Sequence, residues 1–180
     1  FPKSSESHII FDIGNRQGES GAVKESKVMM TEDGRIEGYV ITNPEYVKKY
    51  QAGAEVVMYF SAVPDKKPKA FGVFNKQETQ AGKKEISGVG AGLYLTFDTK
   101  ENETITVKVG LSYTSIANAR LNLNSEAKNT NFDQAKKEAL STWNDYLGRI
   151  TVEGKNETDK IKFYTGLYHA LLGRGLYNDV

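Results

Sequence analysis

The sequence predicts a mainly β protein with a helical C-terminal extension: an antiparallel β-sandwich followed by about three helices. Three observations carry this reading. Up to about Tyr113 the hydrophobic residues alternate with a period of two. Beyond it they recur with a period of 3.6. Short turn signals, and no helical run, stand between the strand-like segments, which is the pattern of sheet packed on sheet.

"SHIIFDI" opens the β half, with Ile9, Phe11 and Ile13 alternating against His8, Ile10 and Asp12. "KESKVMM" and "RIEGYVI" flank "TEDG", where Asp33-Gly34 signals a hairpin turn. "EVVMYFSAV" is apolar on both faces, as a strand covered on both sides must be. "GVGAG" at 88–92 lacks the spacing of a nucleotide-binding loop and reads as close packing or a bulge. "GLYLTFD" turns Leu93, Leu95 and Phe97 inward. In "TITVKVGLSY", Ile105, Val107, Val109, Leu111 and Tyr113 share one face.

In the helical half, Ser115 can cap a short helix with Ile116, Ala119 and Leu123 along one side. Asn131 and Gln134 have the reciprocal capping spacing. The helix they open carries Phe132, Ala135, Ala139, Trp143, Tyr146 and Leu147 as one stripe and can end at Gly148. Asn156 caps a last helix to about Leu172. Its apolar residues from Ile161 to Leu172 cover an arc of roughly 200°, wider than one packing partner requires. A helix of that kind asks for neighbours on two sides. The chain also enters a strand almost at its first residue, so the expectation is a fragment of a larger protein.

The 180 residues carry 24 Lys and Arg against 23 Asp and Glu, a net charge of +1. Near-balance argues against a nucleic-acid partner, which selects a basic face. The basic runs "DKKPK" and "GKK" sit beside Pro or Gly and read as solvated loops. With no cysteine, a disulfide scaffold, a thiol nucleophile and Cys-ligated zinc are excluded. No apolar run is long enough for a membrane helix. P-loop, HExxH and GxSxG patterns are absent. Asn102 and Asn156 match the N-glycosylation acceptor pattern, and Asn156 is better explained as a cap. No carboxylate pair is placed by helical spacing in an apolar setting, as an acid and base would need. His8 lies on the polar side of its strand and reads as solvated. His169 falls on the more polar side of the last helix. Asp179 lies in a polar "NDV" turn.

From "GAGLYLTFDTKENETITVKVGLSYTSIANARLNLNSE" (90–126) onward the chain resembles glycoside hydrolase family 92, the exo-acting α-mannosidases. "FDQAKKEALSTWNDYLGRITVEG" and "KIKFYTGLYHALLGRGLYNDV" are similar to that family's linker and first catalytic-domain helix. "FPKSSESHIIFDIG" and "VVMYFSAVPDKKPKAFGVF" match its sandwich strands more loosely. The resemblance implies a supersandwich-like β domain over 1–113 with its leading part missing. A helical linker over 114–155 follows, and then the first helix and loop of a truncated (α/α)6 barrel over 156–180. It further implies a bacterial, secreted or cell-envelope parent enzyme that is an inverting exo-α-mannosidase, for example an α-1,2-mannosidase, acting on mannose-containing glycans with calcium. No ion is expected in these 180 residues. The family's two catalytic carboxyls belong to the barrel, so none is carried onto a residue here, and the 180 residues are expected to be inactive alone. Asp179 and His169 are the candidate substrate-binding residues, with a cap or turn role the alternative for Asp179. "LLGRGLYNDV" departs from the family pattern by lacking a proline after the paired leucines, so linkage preference is left open. Self-association through the last helix is expected. The competing reading is a non-catalytic carbohydrate-binding or adhesion sandwich, which would need a surface platform of aromatic rings.

Overall fold

The computed structural model describes residues 1–18, 21–76, 78–172 and 179. Among them it forms two compact units. One runs from Phe1 to Lys128 and takes in Asp179; the other begins at Asn129 and holds the last two helices.

The first unit is the predicted sandwich. Its strands are β1 (Ser4–Asp12), β2 (Ala22–Met30), β3 (Ile36–Asn43), β4 (Val56–Pro64), β5 (Ala70–Phe74), β6 (Thr79–Ala81), β7 (Glu85–Ser87), β8 (Gly92–Thr99) and β9 (Val107–Ser112). They pair antiparallel in two sheets, ordered β1-β8-β5-β6 and β7-β2-β3-β4-β9. Because side chains alternate across a strand, the inward set of each sheet meets the other. Val28, Ile36, Phe60, Ala62, Val73, Leu93, Leu95 and Phe97 form the buried core, with Ile9, Phe11 and Ile13 of β1 and its exit packed against it. The β2–β3 turn forms at Gly34, whose φ of +81° a side chain would resist. Asp33 in the same turn accepts from the Arg35 guanidinium at 3.0 Å.

On the outer face of the smaller sheet, two cross-strand pairs set an aromatic ring over a glycine: Tyr94 opposite Gly72, and Phe74 opposite Gly92. A Cβ at Gly92 would lie 2.1 Å from the Phe74 ring, and one at Gly72 2.5 Å from the Tyr94 hydroxyl. The rings cover backbone that the glycines leave bare. This is the close packing expected of "GVGAG".

One sequence expectation is corrected. A short helix, α1 (Glu45–Tyr50), interrupts the β half between β3 and β4. Six residues following Pro44 are too few to display a 3.6-residue period, although proline at a helix start is a common opening. The last strand ends at Ser112, where the change of period was expected.

Helix α2 (Ile116–Asn122) follows, capped by the Ser115 hydroxyl, which accepts from the Asn118 N–H at 3.0 Å. It runs on through one π-helical segment, Leu123–Ala127. Ala119 and Leu123 are buried beneath it. This helix lies on the outer face of the larger sheet because Gly110 has no side chain. A Cβ there would meet the Ala119 carbonyl oxygen at 2.2 Å and Leu123 Cβ at 2.6 Å. The apolar outer face of β4 read from the sequence thus has its cover.

In the second unit, α3 (Phe132–Leu147) and α4 (Glu157–Leu171) are opened by Asn131 and Asn156, each accepting from a first-turn N–H. Only half of the reciprocal box at the start of α3 forms: Asn131 caps Gln134, but the Gln134 amide donates to Glu138 at 2.8 Å instead. Trp143 and Tyr168 pack with ring centroids 4.6 Å apart, and neither helix has a fully buried residue.

Candidate functional site

Polar chemistry in the first unit gathers where β9 turns into α2. Ser112, the last residue of β9, accepts with its hydroxyl from the N–H groups of Thr114 at 3.0 Å and Ser115 at 3.3 Å. One turn apart on α2, Asn118 and Asn122 present amides on the same face. Each spends one N–H on the corner itself: Asn118 donates to the Thr114 hydroxyl and Asn122 to the Leu111 carbonyl, both at 2.7 Å.

Asp179 enters this corner from far along the chain. Its Oδ2 accepts from Asn118 Nδ2 at 2.9 Å, from the Ser112 hydroxyl at 3.1 Å and from the Thr114 hydroxyl; its Oδ1 accepts from Asn122 Nδ2 at 2.8 Å. These bonds, Thr114's first, then those of Asn122 and Ser112, hold the carboxyl at about 2 against an ordinary 3.8. Asp179 is therefore ionised at neutral pH.

The same helix is fastened at its other side. Glu37, on the outer face of β3, is fully buried and receives the Arg120 guanidinium through Nε and, at 2.5 Å, Nη2. The Ser61 hydroxyl adds a bond at 2.9 Å. Glu37, Arg120 and the donors to Asp179 were not singled out by sequence. A signal existed for the last: two asparagines at i and i+4 inside a short helix are poor helix formers, and such residues serve better as side-chain donors.

His169 lies in the last turn of α4, exposed, its ring edge-on to Tyr168 at 5.6 Å. It belongs to the second unit, and no described geometry brings it together with Asp179.

The first unit also holds a cavity of about 370 Å3 between the sheets, toward the edge strands β1 and β9. Phe11, Ile13, Val40, Met58, Val109 and Leu111 give it a hydrocarbon lining. Val109 and Leu111 are 50% and 51% exposed, so this mouth is open to water. At its rim Asn15 donates to Asp12 at 2.8 Å. A sugar needs convergent hydrogen-bonding groups, and this lining supplies almost none. Nor do the exposed rings of the first unit, Phe1, Tyr50 and Tyr113, make an aromatic platform, since they stand on separate segments. A cation fares no better. No three His, Asp or Glu side chains converge among the described residues, and Asp179 faces N–H and O–H donors, the wrong polarity for calcium.

Comparison with known proteins decides the lineage. Residues 1–112 match the glycosyl hydrolase family 92 N-terminal domain, and residues 118–180 match the family's catalytic domain. The chain belongs to glycosyl hydrolase family 92. No curated protein matches it in sequence. Among solved structures, this family 92 chain is similar to a family 92 α-mannosidase from Bacteroides thetaiotaomicron, at 26% identity and a TM-score of 0.86 over 99% of the chain. The same bacterial enzyme in complex with mannoimidazole gives 26% and 0.85 over 99%. A family 92 inverting mannosidase from that organism shares the fold, with a TM-score of 0.79 at 21% identity over 96% of the chain. The 180 residues span 24%, 23% and 22% of those three chains. The two family matches meet at the β9–α2 corner, and Asp179 bonds to residues on both sides of that seam.

Proposed function

We propose that this chain is a section of an inverting, calcium-dependent exo-α-mannosidase that removes mannose from mannose-containing glycans. The observation that carries the proposal is the continuous match of residues 1–112 and 118–180 to the two successive family 92 domains. Support comes from the likeness, at 26% identity, to an α-mannosidase that binds mannoimidazole.

Inverting hydrolysis needs two carboxyl groups about 6.5–9.5 Å apart, one kept protonated to donate to the leaving oxygen and one ionised to activate water. The proton donor must be raised, which takes an enclosed, poorly solvated pocket. Among the described residues three carboxyls are clearly displaced, and all are lowered, the wrong way for a proton donor. Asp33 is lowered chiefly by the Thr31 hydroxyl, Glu103 by Lys66 and Asp179 by Thr114. In this proposal the acid and base, and the calcium, are supplied by sequence other than these residues. His169, exposed at the end of α4, is proposed as a glycan contact in the complete enzyme. A secreted or cell-envelope location goes with the same reading. So does self-association of the 180-residue chain through the exposed Ile161, Phe163 and Leu171 of α4.

The test is hydrolysis of an α-linked mannobiose, followed by NMR of the released anomer. The full-length enzyme is expected to release β-mannose first, to stop with a calcium chelator and to resume when calcium is restored. The 180-residue chain should release nothing. Turnover by that chain which survives repurification and is lost on mutating one of its own carboxylates overturns the assignment.

A further inference from the structure

We infer that Asp179 is a positioning residue: its carboxylate fastens the chain beyond α4 onto the β9–α2 corner and makes no contact with the glycan. The inference rests on the proposed function for its catalytic consequence and on geometry for the rest.

Four donors reach Asp179 from sequence separations of 57 to 67 residues. An ionised carboxylate has about four lone-pair directions. The Ser112 and Thr114 hydroxyls and the Asn118 amide crowd onto Oδ2, and the Asn122 amide reaches Oδ1, so the carboxylate is already engaged at both oxygens. The donors are themselves held. Each amide uses one N–H to tie the corner together and the other on Asp179. Ser115 caps the helix that carries them, Gly110 lets that helix lie on the sheet, and Arg120 clamps it to buried Glu37. The corner is thus a receptor already shaped for one carboxylate. It also stands at the seam of the two family domains: Ser112 ends the N-terminal match, while Asn118, Asn122 and Asp179 fall in the catalytic one. A charge-assisted anchor here holds residue 179 of the catalytic match to the end of β9. A misplacement of about 1 Å far from the chemistry can cost on the order of 100-fold in rate.

The test uses the full-length enzyme with three variants: Asp179→Asn, Asp179→Ala, and the exchange Asp179→Asn with Asn118→Asp. The exchange moves the carboxylate to the third residue of α2, where the helix N-terminus favours a negative charge. It leaves an amide at 179 to donate to it. Hydrogen exchange across residues 111–122 and kcat and KM on α-mannobiose are read together. The single variants are expected to raise exchange at the corner and lower kcat by about tenfold or more, with KM within about twofold and the pH profile unmoved. The exchanged pair should recover protection and most of kcat. A rise in KM with corner exchange unchanged, or an exchanged pair no better than Asp179→Asn, overturns the inference in favour of a glycan contact. If the wild-type enzyme does not cleave the mannobiose, the proposed function fails by itself. Protection at 111–122 and its recovery by the exchange then decide the anchor.

Discussion

Removing the guanidinium from Arg120 exposes the energetics of the α2 clamp. Glu37 is fully buried, and its only other described side-chain bond is the Ser61 hydroxyl at 2.9 Å. Arg120→Met keeps the hydrocarbon stem and leaves a buried carboxylate with one neutral donor. Breaking a buried ion pair from one side costs about 3–5 kcal/mol. The Arg120 side chain is 47% exposed, so water can enter the vacated place and solvate Glu37 in part. The lower end, about 3 kcal/mol, is therefore expected. For a domain of this size that corresponds to a fall in melting temperature of roughly 10 °C. Replacing both partners, Glu37→Met with Arg120→Met, removes the stranded charge and should restore stability to within about 1 kcal/mol of the parent. The coupling between the two sites is then about 2 kcal/mol or more. Urea unfolding at pH 7, followed by circular dichroism for the parent, both singles and the double, measures all four terms. An Arg120→Met cost below about 1 kcal/mol, or a double variant no more stable than Arg120→Met alone, refutes the reasoning.

Two further outcomes follow from the same corner. Gly110→Ala places a methyl 2.2 Å from a helix carbonyl and 2.6 Å from Leu123 Cβ, so α2 must shift. A loss of about 1–3 kcal/mol is expected, and an unchanged thermal melt with α2 still seated would contradict it. For Asp179, the folded value of about 2 lies below the ordinary 3.8, so its contribution is complete above about pH 4 and is lost as pH falls toward 2. The stability gap between the parent and Asp179→Asn should close across that window; a gap that stays constant from pH 4 to 2 sinks the anchor.

The β half was legible because burial on one face imposes a period of two that a single chain cannot hide. Leu93, Leu95 and Phe97 alternate inward, and all three are fully buried. The caps were legible too, since Ser115, Asn131 and Asn156 act within three residues of themselves. The family lineage was readable from the strand-to-helix passage at 90–126, where local pattern and local structure coincide. Helix α1 escaped because six residues are too short for a period.

What no linear pattern contains is pairing across distance. Glu37 and Arg120 lie 83 residues apart, and Asp179 stands 57 to 67 residues from its donors. In the sequence each is an ordinary charged or amide residue with a solvated side chain as its default. Only the stacking of α2 on the sheet, permitted by the missing side chain at Gly110, removes water from Glu37. Only the return of the chain at Asp179 turns Ser112, Thr114, Asn118 and Asn122 into a receptor. Sequence determined which segments are strands and helices, through short-range sterics and one-sided burial. Tertiary structure decided which polar groups meet, because desolvation and hydrogen-bond geometry depend on positions that only the folded chain brings together.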